Sequence, residues 1–274
     1  MASNAPIGIF DSGVGGLTVA REIMRQSPNE SIIYFGDTAR VPYGSKSKKT
    51  IITYSRQIVK FLQRQNVKAI VIACNTASAL ALDIVKEELT IPVIGVVEPG
   101  AKVATSTTRN GNIGIIGTEA TINSGIYNSY IESINSEFNV FGKACPLFVP
   151  LVEEGWIQDP VTSLVAKRYL DELSQYNIDT LVLGCTHYPL IRHIIGETVG
   201  DKVSLVNPAY ETARTLKEVL MQDGIESNAN VASHKFFVSD GANKFQGFAN
   251  TILPCEVVET KDVNIEKLID EVNV

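Results

Sequence analysis

The sequence predicts an α/β fold of two pseudo-symmetric domains, each a mostly parallel sheet flanked by helices, with a ligand site in the cleft between them. The first observation is the apolar run Ala69-Ile-Val-Ile-Ala-Cys-Asn-Thr-Ala-Ser78, which recurs in altered form as Thr180-Leu-Val-Leu-Gly-Cys-Thr-His-Tyr-Pro189. Short, β-branched runs of this kind are typical of strands buried on both faces of a parallel sheet. Ligands bind at the carboxyl ends of such strands, where each run carries its cysteine.

The second observation is an internal repeat. The strand-like segment that begins at Ile7 recurs at Ile113, 106 residues later, and the two cysteines, Cys74 and Cys185, lie 111 residues apart. A proline follows each cysteine after 23–25 residues, at Pro99 and Pro208. Three landmarks in the same order at nearly constant spacing indicate duplication of one α/β unit.

The third observation is that strand and helix patterns alternate along the chain. Apolar runs predict strands at 7–10, 31–35, 91–97 and 235–239, in addition to the two cysteine segments. Amphipathic periodicity predicts helices at 17–26, 48–65, 76–89, 210–222 and 242–252. Segments after Pro208 have no counterpart between the halves, so we predict that they complete the first domain. The predicted domains are 1–98 with 208–274, and 99–207.

Composition limits the class of protein. The chain has 274 residues, 45% of them hydrophobic, which indicates an ordered globular protein. Its interspersed charges sum to −6, which argues against a nucleic-acid partner. The first six residues lack the pattern of a signal peptide, and no apolar run is long enough to span a membrane, so we expect a cytoplasmic protein with reduced cysteines. No C-x-x-C pair indicates a redox motif or a zinc knuckle.

Two loops follow predicted strands at the same edge of the first sheet. The glycine-rich turn 11–16 offers backbone N–H groups to an anion, although it matches neither the dinucleotide-binding nor the P-loop fingerprint. The loop 36–45 is long for its position, and we expect its tip, Tyr43-Gly44, either to cover a site or to pack on the surface.

Two thiols on opposite walls of a cleft have a specific chemical use. A stereocentre with an acidic hydrogen can lose its proton to a thiolate on one face and regain one from a thiol on the other, which inverts the centre without a cofactor. Either Cys74 or Cys185 alone would be read as a buried core residue, but the duplication favours the pair. An unperturbed thiol has a pKa of about 8.5, and a helix N-terminus after each cysteine would lower the cost of holding it charged.

Several polar residues are placed to assist the thiols. Asp11 can hold a substrate ammonium or cap its turn, and His187 can donate to a carboxylate or assist its neighbouring thiol. Glu153 is either a second acid near the cleft or a solvated loop acid. Short donors that suit carboxylates, and that are equally common as helix caps, stand at strand ends and helix starts: Asn75, Thr76, Thr118, Thr121 and Thr186. The other histidines, His193 and His234, have no such context and are read as structural or solvated.

Five segments resemble the signature elements of the glutamate racemases, in the aspartate/glutamate racemase family. They are Asp11-Ser-Gly-Val-Gly-Gly16, Val41-Pro-Tyr-Gly44, Ala73-Cys-Asn-Thr76, Pro150-Leu-Val-Glu153 and Gly184-Cys-Thr-His187, in order between about Ile7 and Tyr210. The resemblance implies cofactor-independent interconversion of L- and D-glutamate in the cleft, which supplies D-glutamate for peptidoglycan, and a homodimer. It implies no metal.

The resemblance also assigns residues. It implies that Cys74 deprotonates the D-enantiomer and Cys185 the L-enantiomer, with Asp11, Glu153 and His187 assisting. The substrate contacts that it implies are Asp11, Ser12, Tyr43, Gly44, Asn75, Thr76, Thr118, Thr121, Thr186 and His187. Aspartate racemases typically carry an acid after the second Cys-Thr, where this chain has His187, which favours glutamate.

Four other functions remain open from the residues. One is an aspartate or related amino-acid racemase. A metal-dependent hydrolase with Cys74, Cys185, His187 and Asp11 as ligands would be revealed by metal analysis, although Asn-Thr after a cysteine serves no metal need. A pyridoxal phosphate racemase would need a lysine at a strand end, and neither repeat has one. A two-domain binding protein of the periplasmic type would bind without turnover, and the missing signal peptide argues against it.

Overall fold

The computed structural model describes residues 3–266, which form ten strands and eleven α-helices. The strands are β1 (Ile7–Asp11), β2 (Ile32–Gly36), β3 (Ala69–Ile72), β4 (Val93–Gly95), β5 (Asn112–Gly117), β6 (Asn139–Ala144), β7 (Thr180–Gly184), β8 (Ser204–Val206), β9 (His234–Val238) and β10 (Thr260–Asp262). The helices are α1 (Leu17–Gln26), α2 (Lys48–Arg64), α3 (Asn75–Glu87), α4 (Val97–Thr107), α5 (Glu119–Asn123), α6 (Ile126–Ile134), α7 (Phe148–Glu153), α8 (Pro160–Leu170), α9 (Arg192–Val199), α10 (Pro208–Gln222) and α11 (Ala242–Ile252).

The strands form two sheets in which every pair is parallel. The first sheet has the order β10-β9-β2-β1-β3-β4, and the second has the order β6-β5-β7-β8. Four strands of the first sheet, β2-β1-β3-β4, therefore have the same order as the whole second sheet, so the repeat in the sequence is also a repeat in topology. The strand β9 pairs with β2, which brings the chain after α10 back to the first sheet. The predicted α/β class with two parallel sheets is confirmed.

Each sheet is covered by helices on both faces, and the alternation of side chains along its central strands divides the core. In β1, Ile7 and Ile9 face α1, α10 and α11, whereas Phe10 faces α2 and α3. In β5, Ile113 and Ile115 face α4 and α6, whereas Ile116 faces α7, α8 and α9. Burial on both faces explains why these strands read as continuous apolar runs.

One predicted strand was wrong in extent. The sequence predicts a strand over 91–97, but β4 covers only Val93–Gly95, and Val97 already begins α4. Pro99 lies in the first turn of that helix, where a proline needs no backbone donor, so it does not mark the end of a strand. A short apolar run at a strand–helix junction carries no periodicity that separates the two elements. Other predicted boundaries differ by one or two residues.

The predicted points of crossing between domains fall at two helix starts. The boundary 98/99 lies in the first turn of α4, and 207/208 lies between Asn207, which caps α10, and its first residue. The predicted first domain also includes residues 1–2 and 267–274, which lie outside the described residues. Within 3–266, no helix is long and apolar enough to cross a membrane.

Candidate active site

The two cysteines occupy equivalent places at the carboxyl ends of β3 and β7. Cys74 is 5% exposed and Cys185 is 6% exposed, and both line one pocket between the two sheets. The other predicted site residues that line this pocket are Ser12, Tyr43, Gly44, Asn75, Thr76, Thr118, Thr186 and His187. Asp11, Glu153 and Thr121 stand behind it, and each is within hydrogen-bond distance of a lining residue. The sequence-predicted residues therefore lie together.

Cys74 is the N-cap of α3, so its sulfur lies at the positive end of a helix. Its thiol donates to Ser12 Oγ at 3.8 Å. Burial and the nearby Asp11 carboxylate raise the pKa of Cys74 to about 12, against the lowering effect of the Ala77 N–H and Ser12. The thiol form is therefore the stable form of Cys74 at neutral pH.

Cys185 has a different neighbour. Its Sγ lies 3.8 Å from Nδ1 of His187, and Nε2 of the same ring lies 3.1 Å from Oε1 of Glu153. Burial lowers the pKa of His187, but its hydrogen bonds with Cys185 and Glu153 outweigh burial and raise the pKa to about 10. A protonated His187 places a positive charge beside this sulfur. Glu153, which was read from sequence as either a site acid or a solvated one, ends α7 and pairs with the histidine.

Asp11 is completely buried at the end of β1. Its Oδ2 accepts the Gly13 N–H at 3.0 Å, as in a turn-capping aspartate, and its Oδ1 accepts the Thr186 hydroxyl at 3.3 Å. Burial raises the pKa of this carboxyl, against the lowering effects of His187 and the hydrogen bonds. Asp11 therefore holds its turn and also contacts the residue that follows Cys185.

Asp11→Asn is expected to raise the free energy of unfolding by about 0.5–2 kcal/mol at pH 8 and to lower activity. The variant should be more stable because burial of the charged Asp11 carboxylate destabilises the folded state. Since the folded-state pKa of Asp11 is raised, its contribution to stability is fully present below pH 3.8 and is lost as pH rises through the folded value. The advantage of the variant should thus widen between pH 4 and pH 8 in urea denaturation. A difference in the free energy of unfolding between variant and wild type that stays constant or reverses between pH 4 and pH 8 would contradict this prediction.

Three threonine hydroxyls meet at the boundary between the two repeats. Thr76 Oγ1 lies 2.9 Å from that of Thr118 and 3.3 Å from that of Thr121, which are themselves 2.9 Å apart. Thr118 also caps α5, because its side chain accepts the Thr121 N–H. These hydroxyls can donate either to one another or to a carboxylate in the pocket.

Tyr43 and Gly44 line the pocket, and Tyr43 is buried instead of lying on the surface. The Tyr43 hydroxyl donates to the Asp37 carboxylate, so this hydroxyl is not directed at the pocket. The two oxygens of the same carboxylate also accept from Nε of Arg40, at 2.7 Å and 2.9 Å. A Cβ atom on Gly44 would lie 2.5 Å from Cβ of Thr118, so only glycine allows this close approach. Sequence reasoning missed Asp37 and Arg40, although their i, i+3 spacing in an unusually long loop is a usable signal.

The remaining predicted histidines stand apart from the pocket. His193 is exposed on α9, and His234 begins β9, where burial lowers its pKa. Among residues 3–266, no group of three or more His, Cys, Asp and Glu side chains is placed to hold a metal ion.

Comparison with known proteins decides the family. The sequence model described as Asp/Glu/Hydantoin racemase matches residues 7–216. The chain belongs to this family. It is 50% identical over 261 residues to the glutamate racemase of Geobacter metallireducens, a match that covers 95% of this chain and 97% of that protein. The enzyme is therefore a racemase, an isomerase, as the paired thiols predict.

Solved structures agree in fold. The crystal structure of glutamate racemase isoform RacE1 from Bacillus anthracis matches with a TM-score of 0.92 and 39% identity, covering 95% of this chain and 98% of that one. The glutamate racemase from Francisella tularensis in complex with D-glutamate matches with a TM-score of 0.91 and 41% identity, covering 97% and 99%. The whole α/β arrangement of this enzyme is shared with these racemases.

Proposed function

We propose that this enzyme interconverts L- and D-glutamate by moving the α-proton between Cys74 and Cys185. The observation that carries the proposal is that two thiols, at equivalent strand ends of a duplicated fold, line one pocket. The similarity to a racemase solved with D-glutamate supports the choice of substrate. Because the two thiols come from opposite repeats, they can address opposite faces of one carbon atom.

The proton transfers balance without a cofactor. With D-glutamate bound and the Cys74 proton released to solvent, the Cys74 thiolate takes the α-proton, which breaks the Cα–H bond and leaves a carbanion. The Cys185 thiol then gives its proton to the opposite face and becomes a thiolate, which the imidazolium of His187 stabilises. L-glutamate follows the same steps in reverse. Two matched acid–base groups are what inversion of one centre requires.

Binding groups for the rest of the substrate are at hand. Asp11 provides a negative charge for the ammonium, and Asn75 with the hydroxyls of Thr76 and Thr118 provides donors for carboxylates. Preorganised donors in a buried pocket also stabilise the charge that develops as the α-proton leaves. Ser12, Thr121, Thr186 and the backbone of Tyr43-Gly44 complete the proposed substrate site. His187, where aspartate racemases typically carry an acid, favours glutamate over aspartate.

Further proposals concern the setting of this reaction. The two domains are formed by 1–98 with 208–274 and by 99–207, so that Cys74 and Cys185 belong to different domains. The enzyme acts in the cytoplasm as a homodimer and supplies D-glutamate for peptidoglycan. It works without a metal or an organic cofactor.

Circular dichroism of purified, chelator-treated protein tests this function. With no cofactor added, pure L-glutamate and pure D-glutamate should both lose their signal and reach the same racemic end point. Pure L-aspartate serves as the competing substrate. Racemisation of aspartate but not of glutamate would contradict the proposed substrate, and activity that depends on an added metal or on pyridoxal phosphate would contradict the proposed mechanism.

A further inference from the structure

A buried tyrosine from the second repeat contacts the pocket residue Asn75 of the first. Tyr127 lies on α6 and is 2% exposed, and its hydroxyl donates to Oδ1 of Asn75 at 2.7 Å. The ring packs with the apolar residues of α4 and β5. The sequence analysis gave this tyrosine no role and did not predict the helix that carries it.

Two glycines allow Tyr127 to approach the backbone closely. A Cβ atom at Gly100 would lie 3.3 Å from the Tyr127 hydroxyl, and one at Gly184 would lie 3.4 Å from the ring. Gly184 directly precedes Cys185, so the tyrosine packs beside the strand end that carries the second thiol.

A carboxamide can face a ligand with either of two ends, and the choice matters for an anion. The oxygen of Asn75 accepts hydrogen bonds, whereas its NH₂ group donates two. A substrate carboxylate only accepts, so it needs the NH₂ end. Because the tyrosine hydroxyl engages the oxygen, the NH₂ group of Asn75 is the end left for the pocket that this residue lines.

We propose that Tyr127 is a positioning residue that fixes the Asn75 carboxamide with its NH₂ group toward a substrate carboxylate. This inference rests on the proposed function, since it assumes an anionic amino acid in the pocket. Burial raises the pKa of Tyr127, so the hydroxyl keeps the proton that it donates. The contact crosses between the repeats, so the orientation of the Asn75 donor depends on a residue of the second repeat.

Tyr127→Phe removes one oxygen atom and leaves the amide free to turn. We expect KM to rise about fivefold to tenfold for both enantiomers with kcat changed less than twofold, which is the effect of one lost hydrogen bond on binding. Since the equilibrium constant between enantiomers is one, kcat/KM must fall by the same factor in both directions. Tyr130→Phe, one turn further along α6, is the matched control and should leave both constants unchanged.

Two further variants separate positioning from packing. Asn75→Asp keeps an oxygen for Tyr127 but replaces the NH₂ group with a second oxygen, so KM should rise by more than about thirtyfold. A KM within twofold of wild type would mean that no substrate carboxylate faces this side chain, which would overturn the inference. Adding Tyr127→Phe to Asn75→Ala should have no further effect on kcat/KM, because the tyrosine acts through that side chain.

The outcomes distinguish failure of the proposed glutamate racemisation from failure of the positioning role of Tyr127. A wild-type enzyme without activity on glutamate would overturn the proposed function and this inference together. An active wild type with an unchanged Tyr127→Phe variant, or with additive effects in the Asn75→Ala background, would overturn this inference alone. If Tyr127→Phe does not fold, an Asn75→Asp variant whose KM stays within twofold of wild type would overturn this inference.

Discussion

Cys74→Ala and Cys185→Ala should each lower kcat for racemisation by at least about 10³-fold while keeping the fold. A general acid–base group contributes about 10²–10⁴-fold, and here each thiol serves as base in one direction and as acid in the other. Neither variant can complete an inversion in either direction, because both faces of the carbon must be served. Circular dichroism at 37 °C with each enantiomer measures the loss.

The single variants should still differ in hydrogen exchange. Cys74→Ala keeps Cys185 and should exchange the α-hydrogen of L-glutamate with deuterated solvent without racemising it, and Cys185→Ala should do the same for D-glutamate. Cys255→Ala is the control, since Cys255 is a half-buried cysteine outside the pocket. Activity within tenfold of wild type in either pocket variant would rule out the two-thiol mechanism.

His187→Gln should lower kcat by about 10²-fold or more in both directions. The imidazolium lies 3.8 Å from Cys185 Sγ, where it stabilises the thiolate that forms whenever Cys185 gives up its proton. The pKa of His187 is raised to about 10, so the ring should stay protonated from pH 6 to about pH 9, whereas an unperturbed histidine loses its proton near pH 6.5. The ¹⁵N chemical shifts of labelled histidine report the protonation state of the His187 ring at each pH.

The control for this variant is His193→Gln, which changes an exposed histidine on α9 and should leave kcat as it is. Glu153→Gln should lower the pH at which the His187 ring loses its proton, because it removes the charged partner of Nε2. A His187 ring that is neutral by pH 8, or a His187→Gln variant with kcat within threefold of wild type, would contradict the assigned role.

Much of this fold could be predicted because its information is local. The cysteine runs predict buried parallel strands, and the carboxyl end of each strand identifies the edge where Cys74 and Cys185 lie. The repeat then predicts that the two edges are equivalent. The strand predicted over 91–97 was too long, because an apolar run alone does not show where a strand ends and a helix begins.

The residues that the sequence did not reveal act over long separations. Tyr127 reaches Asn75 across 52 positions in the chain, from a helix that packs on the second sheet. Its place on an amphipathic helix predicts burial but not the partner of its hydroxyl. The Tyr43 hydroxyl donates to Asp37, which also accepts from Arg40, and the sequence analysis did not predict this contact. Such contacts depend on the packing of whole elements.

In the proposed mechanism, one thiol removes the α-proton and the other supplies a new one. The early turnover of protiated D-glutamate in deuterated water tests this mechanism, with both enantiomers separated and analysed by mass spectrometry. The account predicts that the L-glutamate formed carries deuterium at Cα, while the remaining D-glutamate carries none. L-glutamate that keeps its original hydrogen would mean that one group carries the proton from face to face, and the two-thiol account would be wrong.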